Sequence, residues 1–169
     1  MARYFDPLLR VAWSKLGERQ AAEDIVQETF IAVYGSRDSF NPRFAFRTWV
    51  WTILLNLCRR EMKKRSRRQQ FEFVDQDVLA HYHPSTRVAH PETGLSKLLL
   101  QEQRQQVVHA LHRLPEMQAD AIRLRFYGEL PFEEIAETMH CSVSGAKRRV
   151  KTGLLKLAEL LQTSEENEA

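Results

Sequence analysis

Two amphipathic segments near the C-terminus, PFEEIAETM and SGAKRRVKTGLLKLAELL, are separated by only HCSV. So short a connection makes the first helix turn back on the second at once, which is the helix-turn-helix arrangement. Ile135 and Met139 share one face of the first helix, and Ala136 is small where the second must come close. In the second, Val143, Ala146, Val150, Leu154, Leu157 and Leu161 step by three or four and predict one buried stripe. A rotation of about 100° per residue puts Ser144, Arg148 and Thr152 opposite that stripe. Lys147 and Lys151 flank one side of this face and Arg149 the other. A helix N-terminus carrying such groups can enter a major groove and neutralise phosphates. The plainer alternative is a helical hairpin with a solvated basic face.

The rest of the chain also reads as helical. Leu8, Leu9, Ala12 and Leu16 keep helical spacing, with Gly17 as a stop. A second helix is expected over about 20–35, followed by the turn residues of SRDSFNPRF. A third starts near Ala45, where FRTWVWTILLNL is apolar on most sides, as in a buried bundle helix. Residues 69–95 mix charge, Pro, His and Gly with no steady period, which predicts a flexible linker between two domains. A long amphipathic helix then runs to Pro115, which fits the first turn of a further helix ending at Gly128. The expected architecture is all-α: an N-terminal helical bundle at 1–68, the linker, a helix-turn-helix domain at 96–163 and an acidic tail at 164–169.

Charge is distributed unevenly although the net is only +3. RREMKKRSRR, at 59–68, and KRRVK, at 147–151, form two basic clusters, suggesting a polyanion touched at two places. In the first, an aromatic and apolar run leads straight into the cations, a combination suited to melted DNA. Trp49, Ile53 and Leu57 are expected in the core. Trp51 and Asn56 fit the core less well, and Asn56 in an apolar helix is read as a break or cap. Cys58 and Cys141 are isolated and read as reduced thiols. No apolar run is long enough to span a membrane, and the first residues lack a secretory pattern, so a cytoplasmic location is expected.

EDIVQETF, at 23–30, sets Asp24 and Glu28 four residues apart with Gln27 between them. Spacing alone leaves catalysis, metal binding and a partner surface open. A metal nuclease needs further carboxylates or a nearby histidine. The histidines lie far along the chain, and there is no Gly-rich phosphate loop, HExxH or nucleophile elbow. No enzyme, metal site or cofactor is therefore expected. His81, His83 and His90 read as linker residues. His109 and His112 could join them only after folding.

AEDIVQETFIAVY, FRTWVWTILLNLCRREMKKR and LPEMQADAIRLRFYGELPFEEIAETMHCSVSGAKRRV, in that order, resemble the two domains of a bacterial sigma factor. The match is to the small extracytoplasmic-function (ECF) group. The resemblance implies a non-catalytic subunit that joins core RNA polymerase and directs initiation at promoters with −35 and −10 elements. It implies that Asp24, Gln27, Glu28, Ile31 and Tyr34 dock on the β′ coiled coil, with Val26, Phe30 and Val33 in the core. Asn56 falls in the family's short loop that captures an unstacked −10 base, and Trp51 is assigned to the same element. Arg59, Arg60, Lys63 and Lys64 would follow on the next helix along the promoter backbone.

Ser144, Lys147, Arg148, Arg149, Lys151 and Thr152 align with −35-reading positions, and Phe132 and Glu133 with supporting contacts. Members of the group are often held inactive by an anti-sigma factor, a further implied partner. His140 stands where relatives have Gly and must take a left-handed conformation. Ser144 and Gly145 replace a common Gly-Thr pair, a departure that bears on −35 sequence preference. The competing reading is a stand-alone helix-turn-helix regulator with an N-terminal dimerisation or sensor domain.

Overall fold

The computed structural model describes residues 2–42, 45–71 and 94–168. Among them are seven α-helices, one 3-10 turn and no strand: α1 (Ala2–Leu16), α2 (Arg19–Gly35), the turn Arg37–Ser39, α3 (Phe46–Phe71), α4 (Gly94–Arg113), α5 (Glu116–Phe126), α6 (Phe132–Thr138) and α7 (Val143–Glu168). The fold is all-α with two small helical domains, as the periodicity implied. Most of the 69–95 segment lies outside the described residues, and with it His81, His83 and His90. The helix of the second domain continues to Glu168, past the expected boundary at 163.

Local chemistry accounts for the helix ends. α1 stops where Gly17 adopts φ 74° and donates to the Trp13 carbonyl at 2.9 Å, a left-handed position that Gly occupies at little cost. α6 stops at His140, with φ 50°. There the Cys141 N–H reaches back to the Ala136 carbonyl at 2.9 Å, closing the terminal carbonyl as a left-handed cap does. Ser142 then caps α7, its Oγ accepting from the Gly145 N–H at 3.1 Å. Pro131 is the N-cap of α6, and Pro115 is the N-cap of α5, one residue before the first turn in which it was expected.

α1, α2 and α3 pack mutually in the N-terminal half, and α4, α5 and α6 each pack on α7 in the C-terminal half, with α5 also meeting α4 and α6. The halves also meet: α1 lies against α5, and α3 against α6. One core runs through this contact. Leu8, Val11, Trp51, Leu54 and Leu55 join Leu124, Leu130, Ile135, Ala136 and Val150 in a single buried cluster. At about 25 cal/mol per Å² of apolar surface, a junction built from such residues holds the halves together in a defined orientation. A second cluster, with Leu111, Leu114, Ile122 and Leu157, ties α4, α5 and α7.

Candidate nucleic-acid and polymerase interfaces

The outer face of α7 is close to its sequence reading. Ser144, Lys147, Arg148, Lys151 and Thr152 are exposed together. Arg149 is half-buried, and its Nη1 is enclosed without a hydrogen-bond partner among the described residues. Phe132 sits under two cations, with the Arg125 guanidinium 4.9 Å and the Lys147 ammonium 5.7 Å from its ring centre. It therefore steadies the base of the basic face by cation–π attraction. Glu133 is exposed on α6 beside it.

The stripe behind this face needs one correction. Leu154 is 38% exposed, and the buried sequence is Ala146, Val150, Gly153, Leu157. A Cβ on Gly153 would stand 2.8 Å from the Ile122 Cδ1. α5 approaches so closely that only Gly fits there without a neighbour shifting, which rotates Leu154 outward.

On α2, Asp24, Gln27, Ile31 and Tyr34 form one exposed face, with Ile31 71% and Tyr34 66% exposed. Val26 and Val33 point into the core and Phe30 packs against it. Gln20 donates to Asp24 at 3.1 Å, and Glu28, half-buried, accepts from Arg60 of α3. Two large apolar side chains thus stand in water beside carboxylates, a composition that suits a contact surface. Among the described residues, no group of three or more His, Cys, Asp or Glu could hold a metal ion. Nor is any described helix long and apolar enough to cross a membrane.

α3 departs further from expectation. It is unbroken from Phe46 to Phe71, so Asn56 is neither a break nor a cap and no loop opens there. Its side chain is exposed and accepts from Arg59 at 3.4 Å, an i,i+3 bond that the helix surface itself can satisfy. Arg59, Arg60, Lys63 and Lys64 follow on this same helix. Trp51 is only 1% exposed, in the core, and is not available to a base in this arrangement. The reason is the α5–α6 turn: a Cβ on Gly128 would lie 3.2 Å from the Trp51 ring. Trp49, Ile53 and Leu57, expected in the core, are partly buried against it.

Sequence reasoning missed the charge network between the halves. Lys15 is 1% exposed, and its ammonium donates to Asp120 at 2.6 Å and to Glu116 at 3.0 Å. Arg59 reaches the other Asp120 oxygen at 3.1 Å and Glu116 at 3.3 Å. Asp120 is fully buried and also faces Arg123 at 3.5 Å, while Arg123 donates to the Ser14 carbonyl. Burial works against the ionised Glu116 carboxyl. The Lys15 hydrogen bond and the Lys15 and Arg59 charges outweigh it and hold its pKa below the usual carboxylate range. Cys58, beneath this network, has its thiol pushed up to about 12, chiefly by burial. The available signal was positional. Lys15 follows Val11 by four residues, on the core stripe of α1, and Asp120 sits among Ala119, Ala121 and Ile122.

Comparison with known proteins identifies the family. Residues 1–68 match the model of Sigma-70 region 2, and residues 104–157 that of Sigma-70, region 4. The ECF RNA polymerase sigma-E factor of Haemophilus influenzae is 33% identical over 132 residues, 78% of this chain and 70% of that protein. Its Escherichia coli K12 counterpart is 32% identical over 127 residues, 75% of this chain and 66% of that protein. The sigma factor RpoE of Bartonella quintana, solved in complex with the anti-sigma factor NepR, superposes with a TM-score of 0.71 at 26% identity. The match covers 95% of this chain and 93% of that one. A basic helix-turn-helix, an exposed acidic and apolar α2 face, and two matched regions in family order place the chain among the ECF RNA polymerase sigma factors.

Proposed function

We propose that each described surface serves one contact of promoter-specific initiation. The α2 face, Asp24, Gln27, Glu28, Ile31 and Tyr34, docks on the β′ coiled coil of core RNA polymerase. Tyr34 and Ile31 supply apolar anchors, and the carboxylates set orientation. The exposed residues of α7, with Arg148 central, enter the −35 major groove, while Lys147 and Lys151 hold phosphates. Phe132 and Glu133 support that helix from α6. Arg59, Arg60, Lys63 and Lys64 of α3 follow the −10 backbone. Asn56, and Trp51 once uncovered, face unstacked bases.

The observation that carries this reading is the coexistence of an exposed partner face on α2 and an exposed basic face on α7 in one short chain. The domain limits, 1–68 and 96–163, follow the same division of labour. A subunit of this kind positions DNA and leaves polymerisation to its partner, so it has no catalytic activity or cofactor of its own. It works where polymerase does, in the cytoplasm. Because the Bartonella relative was solved with an anti-sigma factor, such an inhibitor is a further partner for this chain.

A mobility-shift assay on a promoter fragment tests the scheme. Specific retention only when core polymerase accompanies the protein supports it. Tight, specific binding by the protein alone, as a dimer on a palindrome, would indicate a stand-alone regulator instead.

A further inference from the structure

A pocket of about 450 Å³ lies where α1, α3, α4 and α5 converge. Cations and polar donors dominate its lining: Lys15 of α1, Arg59, Lys63 and Ser66 of α3, His112 of α4 and Arg123 of α5. Lys15 and Arg123, 1% and 3% exposed, form the floor, while Lys63 and Ser66 are exposed at the rim. Arg59, Lys63 and Ser66 follow one another at helical spacing and present one stripe of α3 to the pocket.

Donors outnumber acceptors here. The carboxylates within reach are Glu116, in the lining, and Asp120 behind it, and both are already engaged by Lys15 and Arg59. Four cations against two carboxylates leave an excess of two positive charges. The Lys15 ammonium keeps one proton beyond its two hydrogen bonds, and the Arg59 guanidinium has N–H groups to spare. Among the described residues Lys63, Ser66 and His112 make no hydrogen bond or ion pair. His112 registers the same excess: partial burial and the charges of Arg123, His109 and Lys15 push its imidazole down to about 4. α5 adds its positive end, since its first turn borders the pocket and its N-cap Pro115 makes no side-chain cap bond.

We propose that this pocket binds the phosphoryl group of a small metabolite, a ligand rich in acceptors that takes up the unused donors of Lys63, Ser66, Lys15 and Arg59. A dianion balances the two excess charges, and the volume is that of a small-molecule site. Met62, 37% exposed, offers an apolar wall for the group that carries the phosphate. Lys15, His112 and Arg123 lie on helices with no assigned DNA contact, so the pocket is distinct from the promoter surface. It goes beyond the sigma-factor reading and stands without it. Arg59 and Lys63 are shared, so the ligand and the −10 backbone draw on the same two cations.

The test is a thermal-shift titration of the full-length chain without DNA or polymerase, at about pH 8, where phosphate is a dianion. The probes are inorganic phosphate and adenosine diphosphate, each compared with sodium chloride at equal ionic strength. Phosphate and the nucleotide should raise the melting temperature beyond chloride, because they bind the folded chain. Lys63→Gln/Ser66→Ala should raise the half-saturating concentration about tenfold. Lys156→Gln, which removes an exposed cation of α7 away from the pocket, should leave it unchanged. A nucleotide that binds tighter than phosphate identifies a nucleotide as the source of the phosphoryl group, and phosphate binding at least as tight identifies free phosphate. Equal responses to phosphate, nucleotide and chloride, or a Lys63→Gln/Ser66→Ala response no weaker than that of Lys156→Gln, overturn the proposal. With DNA and polymerase absent, either result leaves the sigma-factor reading untouched.

Discussion

The Arg59 Nη2 donates to the Asp120 Oδ2 at 3.1 Å, so a guanidinium assigned to promoter DNA is held by the buried carboxylate of the opposite domain. The shared Glu116 extends this tie to the partly solvated edge.

Acid should loosen the contact. The folded Glu116 pKa is depressed, so its contribution is complete above its unfolded value of about 4.3. It is lost as pH falls through the lower folded value. Melting followed from pH 6 down to about pH 3 should fall more steeply for wild type than for Glu116→Gln, in which that carboxyl no longer titrates. Parallel curves would mean that Lys15 and Arg59 do not stabilise the ionised form.

Thiol labelling reports the same junction chemically. Cys58 is buried with its pKa near 12, while Cys141 is partly exposed. Because the thiolate is the reactive form, iodoacetamide at neutral pH should label Cys141 first and Cys58 only after denaturation. Peptide mass spectrometry separates the two sites. Equal rates in the native protein would contradict the burial of Cys58.

On α2, Tyr34→Ala and Ile31→Ala remove exposed side chains, so thermal stability should change by less than about 0.5 kcal/mol. Affinity for core polymerase should fall by about 2 kcal/mol for Tyr34→Ala if it is a central anchor. Biolayer interferometry against immobilised core measures it. Unchanged affinity for both variants would remove α2 from the docking surface.

For α7, Arg148→Ala should reduce discrimination between matched and altered −35 elements by about 1–3 kcal/mol. Lys151→Ala should instead weaken all promoters alike and lower the salt slope by about 0.9. Holoenzyme binding over a salt series distinguishes them. A uniform loss for Arg148→Ala would make it a phosphate contact.

The periodic parts of this chain were legible. The α2 faces, the α6–α7 turn with left-handed His140, and the basic face of α7 follow from spacing and residue type within one or two helices. What escaped depended on a neighbour from far along the chain. Leu154 is exposed because Gly153 lets α5 come close, a matter of helix rotation rather than of hydropathy. Trp51 is buried because the α5–α6 turn covers it. Asn56 is tolerated in mid-helix because it faces water and Arg59. Lys15 and Asp120, each a charge on an apolar stripe, marked the junction but could not name each other, since a single sequence does not pair them.

The most direct test of the central claim is run-off transcription with purified core RNA polymerase, with and without this protein, on a library of promoter fragments. The account predicts discrete transcripts from a subset of promoters sharing −35 and −10 elements, present only when the protein is added. Transcripts that are unchanged by the protein, or altered only where core already initiates, would contradict it.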